Sequence, residues 1–276
     1  MTSTIEYILG HSGREIQRLV HQASILRPIT ERLLRSAGIS QGMRVLDLGC
    51  GAGDVALLAA ELVGPSGSVV GIDRNQAVIA MARQRARRAD YQHVDFRNVS
   101  VDEFSDAEPF DAVVGRYVLI HQADPVALIR AAADFARPGA VVAFHELCIR
   151  GQFFQSCPTV SLWQQVGEWL RTAFQATTPH CDAGGRVIEH FARAGLAQPN
   201  LFCECLVGGG EDSPLYAWVA DTLASVMPQL VRMQIATADS IAIETLEDRL
   251  RKAVVKANSQ IVGPAQFCAW AKVRFD

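Results

Sequence analysis

The sequence has no surplus of either charge: 26 Lys and Arg stand against 29 Asp and Glu, a formal net charge of −3. A general nucleic-acid binder is expected to be basic, so this balance weighs against that class. Nor does it hold an apolar run of 18 residues. The longest uncharged stretch, 151–167, is broken up by Gln, Ser, Thr and Pro, and no membrane span is expected. The opening MTSTIEYILGHSGRE has neither a basic leader nor a long apolar segment, so no secretory signal is expected. No CxxC pair occurs among the seven scattered cysteines, Cys50, Cys148, Cys157, Cys181, Cys203, Cys205 and Cys268. An odd, dispersed set fits a reduced, cytoplasmic protein better than a disulfide framework. Tryptophan is missing from the first 150 residues, and all four lie beyond them.

What remains is a globular composition, 49% apolar and 20% charged over 276 residues. That is nearly two domain lengths at roughly 150 residues each. Residues 12–37 carry Ile16, Leu19, Val20, Ala23, Leu26, Ile29, Leu33 and Leu34 at helical spacing, interrupted by Pro28, which predicts two helices or one kinked helix. Apolar strands then alternate with helices. Strands are expected at 45–49, 68–73, 94–99, 112–117 and 138–146, and helices from 54 to Gly64, at 77–89 and at 127–137. This rhythm predicts βαβ units with right-handed crossovers and a parallel sheet covered on both faces.

After residue 150 the rhythm changes. Helices are expected near 158–176, 184–195, 214–232 and 240–257, with strands at 201–207 and 266–273. The expected fold is α/β: a doubly wound, mostly parallel seven-stranded sheet with helices on both faces and helical cap segments. N-terminal cap helices are placed at 1–40 and the core at 41–150. Cap insertions fall at 151–200 and 208–265, with 201–207 and 266–274 completing the sheet.

The most informative segment is VLDLGCGAGD, 45–54, where a strand runs through Gly49, Gly51 and Gly53 into a helix. Glycines there allow positive φ and let backbone approach a ligand at the carboxyl end of the first strand. The dinucleotide fingerprint fails, because Asp54 stands where its third glycine belongs, and no G-K-[ST] marks a Walker loop. Asp47 adds an acid that a pyrophosphate turn would not want and that suits an amino-bearing ligand. Twenty residues past Gly53 comes Asp73, an acid able to accept hydrogen bonds from ribose hydroxyls. Together these features point to an adenosine ligand without phosphates.

With Val45–Gly53, Asp73, the strand-four motif Phe110-Asp111-Ala112-Val113-Val114 and the entry Arg137-Pro138-Gly139-Ala140, the chain resembles the class I S-adenosylmethionine-dependent methyltransferases. Only Ala140 departs from that family's common R-P-G-G. The resemblance covers about 12–146 and the last strands. It implies S-adenosyl-L-methionine as cofactor, with Gly49, Gly51 and Gly53 beside it, Asp73 on the ribose and Arg74 flanking the adenine. Ser100 stands where the family often has an acid reading the adenine amine, with Val101 next, so that contact is weaker or made by backbone. Gln22 is a candidate to close over the cofactor. The segment Gly115-Arg116-Tyr117-Val118-Leu119-Ile120-His121 falls where the family places substrate and methionine contacts, which makes Arg116 a cofactor candidate.

This segment is similar to that of the phosphoethanolamine methyltransferases, in which a histidine at the place of His121 works with an N-terminal tyrosine. Tyr7 could take the second part. The bland alternative for His121 is a loop histidine bonded to a carbonyl. His145 and Glu146 end strand five on the ligand side as candidate substrate contacts, with His145 a candidate catalytic residue, and at most one can reach the site directly, since neighbours on a strand face opposite ways. Gly115-Arg116 occupies the place of the strand-four acid used by the metal-dependent branch, so no metal is expected.

Arg83, Arg85, Arg87 and Arg88 read as a solvated helix face. Cys203 and Cys205 are too few for a zinc site. Phe153, Phe154, Trp163, Trp169, Phe174, Tyr216, Trp218, Met227 and Met233 crowd the later segments; singly they read as core, and as a group they favour an apolar or aromatic small-molecule substrate. The 208–265 insert stays open between a substrate cap and a homodimer surface. The expected function is methyl transfer to a small metabolite by in-line displacement, without nucleic-acid or membrane partners. A macromolecular methyltransferase acting on RNA or protein and a non-catalytic cofactor-binding protein are the alternatives.

Overall fold

In the computed structural model, residues 13–150 and 154–273 are described. The first element, α1 (Gly13–Ser36), is a single helix that continues through Pro28. Its second half buries Leu26, Ile29, Thr30, Leu33 and Leu34, the spacing of one helical face. There follow β1 (Arg44–Leu48), α2 (Asp54–Val63), β2 (Ser68–Asp73), α3 (Gln76–Arg88), β3 (Val94–Asn98), β4 (Phe110–Arg116), α4 (Pro125–Phe135) and β5 (Ala136–Leu147). Helix starts are set locally. Asn75 accepts from the Ala77 and Val78 amides ahead of α3, and Asp124 from Val126 and Ala127 ahead of α4, whose first residue is Pro125. Beyond lie β6 (Gln155–Cys157), α5 (Ser161–Thr177), α6 (Val187–Arg193), β7 (Asn200–Gly208), α7 (Leu215–Arg232), α8 (Ala238–Ile241), α9 (Ile243–Lys256) and β8 (Gln260–Lys272).

The sheet runs β3-β2-β1-β4-β5-β8-β6, with β7 also paired to β8. β1 to β5 are parallel, and β8 returns antiparallel along β5, Val141 facing Lys272 and Leu147 facing Gln266. The chain winds from β1 outward to β3, then returns to β1's other side with β4. In such a sheet the ligand crevice lies at the carboxyl ends of β1 and β4, where the winding reverses. Among the described residues the sheet has eight strands where the sequence predicts seven. The extra one, β6, is only three residues long and is set by antiparallel pairing with Gln260–Val262 of β8.

Two compact units divide the chain. The larger comprises residues 26–148, 182–204 and 266–276. Its core is built from strand residues such as Leu46, Leu48, Ile72, Val113, Val142 and Phe144 packed with Ile129 and Phe191. Buried on both faces, these strands read as continuous apolar runs. Of the described residues, the smaller unit holds 13–25, 149–150, 154–181 and 205–265. Trp163, Tyr216, Leu223, Leu246, Leu250 and Val254 are fully buried in its core. Gly167 is required there, since a Cβ would come within 2.4 Å of Phe154 Cβ, so Phe154 lies directly on the α5 backbone.

Candidate functional site

The larger unit gathers the predicted residues at the crevice end of β1, β2 and β4. Gly49, Gly51 and Gly53 all take positive φ, at 61°, 52° and 85°. Gly51 is the telling one: a Cβ built on it meets nothing within 4 Å, so its backbone faces open space. Its amide donates to Asp73 Oδ2 at 3.0 Å, and the Asn75 amide donates to Asp73 Oδ1 at 2.8 Å. The Asp73 carboxylate is therefore already oriented, with lone pairs left over for a diol. Gly53 closes the turn and starts α2, its φ of 85° ending the loop.

Asp47 sits in the middle of buried β1 and is 1% exposed. Neither carboxylate oxygen accepts a hydrogen bond. Burial pushes its pKa up to about 8, against the pull of Arg116 and the Ala56 amide turned toward it, while Asp54 and Asp73 push it further up. An unpartnered acid costs free energy in a low-dielectric interior unless a cation joins it. This carboxyl with an open glycine backbone and an oriented second acid suits an amino-acid-bearing nucleoside. The residues fit S-adenosylmethionine.

Arg116 ends β4 with its side chain 8% exposed; it donates to Thr30 Oγ1 at 3.3 Å and pairs with Asp54 at 3.5 Å. Ser100 Oγ donates to Glu103 at 2.7 Å, and Val101 packs half-buried on the core. Arg74 is exposed between β2 and α3, and His121 is half-buried in the helical turn Leu119–His121. Gln22 belongs to the smaller unit, where it accepts from Arg18 at 2.8 Å. Tyr7 and Phe153 lie outside the described residues. Among the described residues no three His, Cys, Asp or Glu side chains are grouped to hold a metal ion.

His145 is placed where it has no surface and no free nitrogen. Its Nδ1 lies 3.0 Å from Thr30 Oγ1 and its Nε2 3.0 Å from Gln266 Oε1. An amide oxygen only accepts, so Nε2 carries the proton and Nδ1 is the ring's acceptor, facing a Thr30 hydroxyl that also donates to the Leu26 carbonyl at 3.1 Å. Burial, seconded by Arg116, lowers its pKa to about 3 and holds the ring neutral. The Tyr117 hydroxyl also donates to Gln266 Oε1, and its ring meets His145 edge-on at 5.6 Å. The chain thus runs Arg116, Thr30, His145, Gln266, Tyr117, all within the larger unit. Both ring nitrogens of His145 are engaged within it.

Several contributors carry little sequence signal. Thr30 and Gln266 are polar residues spaced among apolar neighbours, and that interruption was their only mark. The basic run on α3 is not simply solvated. Arg83 donates to the Phe96 carbonyl at 2.6 and 3.0 Å, and Arg85 to the Ala52 carbonyl at 2.7 Å while pairing with Asp54. Arg85 thereby braces the glycine turn from behind.

A family model described as "Methyltransferase domain" matches residues 39–192. Over 131 residues the chain is 33% identical to the ubiquinone biosynthesis O-methyltransferase of Acinetobacter baumannii (strain AYE), covering 46% of this chain and 52% of that protein. The chain thus spans about half the length of this curated relative. In solved structures it is similar to the YcgJ protein of Bacillus subtilis (TM-score 0.57, 16% identity, 90% of this chain and 98% of that one). It is also similar to a SAM-dependent methyltransferase from Aquifex aeolicus (TM-score 0.50, 14% identity, 88% and 89%). At such identities these two show the shared fold.

Proposed function

The chain belongs to the methyltransferase-domain family, and from that premise we propose that it moves a methyl group from S-adenosylmethionine to a small apolar or aromatic metabolite. The observation that carries this reading is the buried, unpartnered Asp47 beside the open backbone of Gly51. S-adenosylmethionine supplies an electrophilic methyl group on a positively charged sulfur. The protein's part is alignment and exclusion of water, because in-line displacement rewards a fixed approach.

Asp47 takes the ligand's ammonium, and Arg116 sets the charge around it. Asp73, fixed by the Gly51 and Asn75 amides, takes the ribose hydroxyls, and the Gly49–Gly53 backbone lies along the ligand. Arg74 and the Ser100–Val101 turn flank the base. We assign His121, one turn beyond β4, to the acceptor side, where it can take the proton of a hydroxyl or amine acceptor. Tyr7, outside the described residues, and Gln22 keep as proposals the roles that the sequence resemblance implies. The acceptor class leans on the relative's name, which refers to O-methylation in ubiquinone biosynthesis, and on the near-neutral charge balance.

Calorimetry with S-adenosylhomocysteine, followed by its detection as product against phenolic, amine and isoprenoid acceptors, tests the reading. No binding by the folded wild-type protein would refute it.

A further inference from the structure

The β4 exit holds a residue in an unfavoured conformation. Tyr117 has φ of 56°, left-handed backbone that a bulky side chain adopts only when its surroundings impose it. The surroundings are identifiable. The Tyr117 amide donates to the His145 carbonyl at 2.9 Å, and its hydroxyl donates to Gln266. Immediately after it, the Val118 and Leu119 amides both donate to Glu146 Oε1 at 2.8 Å. Glu146 is fully buried at the end of β5, and its Oε2 has no partner.

Val118 carries this restraint to the ligand turn. A Cβ on Gly49 would stand 2.6 Å from Val118 Cγ1, and one on Gly115 2.7 Å from Val118 Cγ2. Two glycines, one on each side, make room for this one side chain. The position of Val118 therefore sets how the glycine turn lies against the β4 exit. Its own position is set by the amide that Glu146 holds.

We propose that Glu146 is a positioning residue that clamps the Tyr117–Leu119 backbone, and through Val118 fixes the Gly49 turn in the shape that receives the ligand. This rests on the function proposed above but concerns a residue that does not touch the ligand. The clamp needs one acceptor oxygen for two amides, not a charge. Burial lifts Glu146 to about 8 against the opposing pull of the Leu119, Val118 and Ile120 amides, which favours the neutral acid at pH 7. A neutral amide can replace it.

The test compares Glu146→Gln, which keeps the acceptor, with Glu146→Met, which keeps the volume and loses it. S-adenosylhomocysteine affinity is measured by calorimetry well below each protein's Tm, and amide exchange at Val118 and Leu119 is measured without ligand. The expected result is a Kd within about threefold of wild type for E146Q. For E146M it is a Kd at least tenfold weaker, with exchange at the two amides at least tenfold faster. A residue that only fills space would lower the Tm of E146M and leave its Kd unchanged, and that outcome overturns the proposal. Equal impairment of E146Q and E146M also overturns it.

Should E146M not fold, Glu146→Asp withdraws the carboxyl from both amides, and wild-type affinity in E146D refutes the clamp. Rapid exchange of the Val118 and Leu119 amides in the wild-type protein refutes it without any variant. Failure of wild-type protein to bind S-adenosylhomocysteine counts against the proposed function, whereas the exchange data judge the clamp independently.

Discussion

Replacing Asp47 with asparagine exposes what the ligand-free protein forgoes to keep that carboxyl. In the unfolded chain the group titrates near its ordinary 3.8, and in the folded protein near 8. A raised acid destabilises the fold progressively: the loss is absent below the unfolded value and grows until pH passes the folded one. At pH 7 the gap is about 3 pH units at about 1.4 kcal/mol each, on the order of 4 kcal/mol. The asparagine side chain would not ionise, though its amide leaves buried groups unsatisfied at a cost of about 1–3 kcal/mol. The absolute gain is therefore modest, and the pH slope is the cleaner quantity.

Between pH 5 and 7 the stability of D47N should rise relative to wild type by about 3 kcal/mol, roughly 6 °C or more in Tm. Denaturation across that range measures it, and other titrating groups cancel in the difference. Calorimetry supplies a second reading. An ammonium arriving beside Asp47 drives its ionisation, so wild-type binding at pH 7 should release close to one proton, seen as a heat that varies with the buffer. D47N should release none and bind at least tenfold more weakly. Parallel stability curves for the two proteins, or buffer-independent heats in the wild type, would show that Asp47 is not the strained acid described here.

His145 predicts the opposite limb. Its folded value is depressed to about 3, so the stability it contributes is complete above about 6.5 and is lost as pH falls toward 3, at about 1.4 kcal/mol per unit. His145→Gln should flatten acid denaturation in that interval. Gly51→Val places a branched side chain at φ 52° in the open space of the turn, so S-adenosylhomocysteine binding should disappear while circular dichroism retains the fold. Arg85→Met removes the donor to the Ala52 carbonyl and leaves Asp54 paired with Arg116 alone; a stability loss of about 1 kcal/mol and a several-fold weaker Kd are expected, and equal affinity would dismiss the brace. Leu250→Ala, fully buried in the smaller unit, should cost about 2–5 kcal/mol in urea denaturation.

The parallel core was legible because its buried strands are apolar runs, with Gly49 just past β1 and the capping Asn75 just past β2. β2 begins and ends at the predicted residues, and the β1–Gly49 junction lies within one residue of its expected place. Legibility failed where a partner distant in sequence decides. β6 has three residues, Gln155–Cys157, and no alternation of its own, and it is a strand only because β8 pairs with it. The helical spacing at 240–257 runs across a break at Ala242, where φ is 46° and α8 gives way to α9; periodicity alone does not register one left-handed residue. β5 starts at Ala136, ahead of the Pro138-Gly139 pair that resembles a turn, because a register shift between Phe110 and Ala112 accommodates it.

The site divides the same way. Asp47, Asp73 and the three glycines announce their place by adjacency to strand ends. The reading of His145 depended on Thr30 and Gln266, 115 and 121 residues away, and that of Arg85 on a carbonyl 33 residues back. Residue type and local spacing cannot distinguish a histidine that is enclosed from one that reaches a substrate.

Gln266 also imposes an order of assembly. Its side chain accepts from Tyr117, 149 residues earlier, and from His145, and it arrives on β8, made after all five parallel strands. A nascent chain emerging from the ribosome can complete the five parallel strands while that acceptor is still missing. Tyr117 then has nothing to receive its hydroxyl and loses one of the restraints on its left-handed backbone. Such distant pairing is entropically slow to close. Ligand competence should therefore be acquired late, after the five parallel strands have paired, so a chain stalled before β8 would lack the acceptor that helps hold the β4 exit in its binding shape.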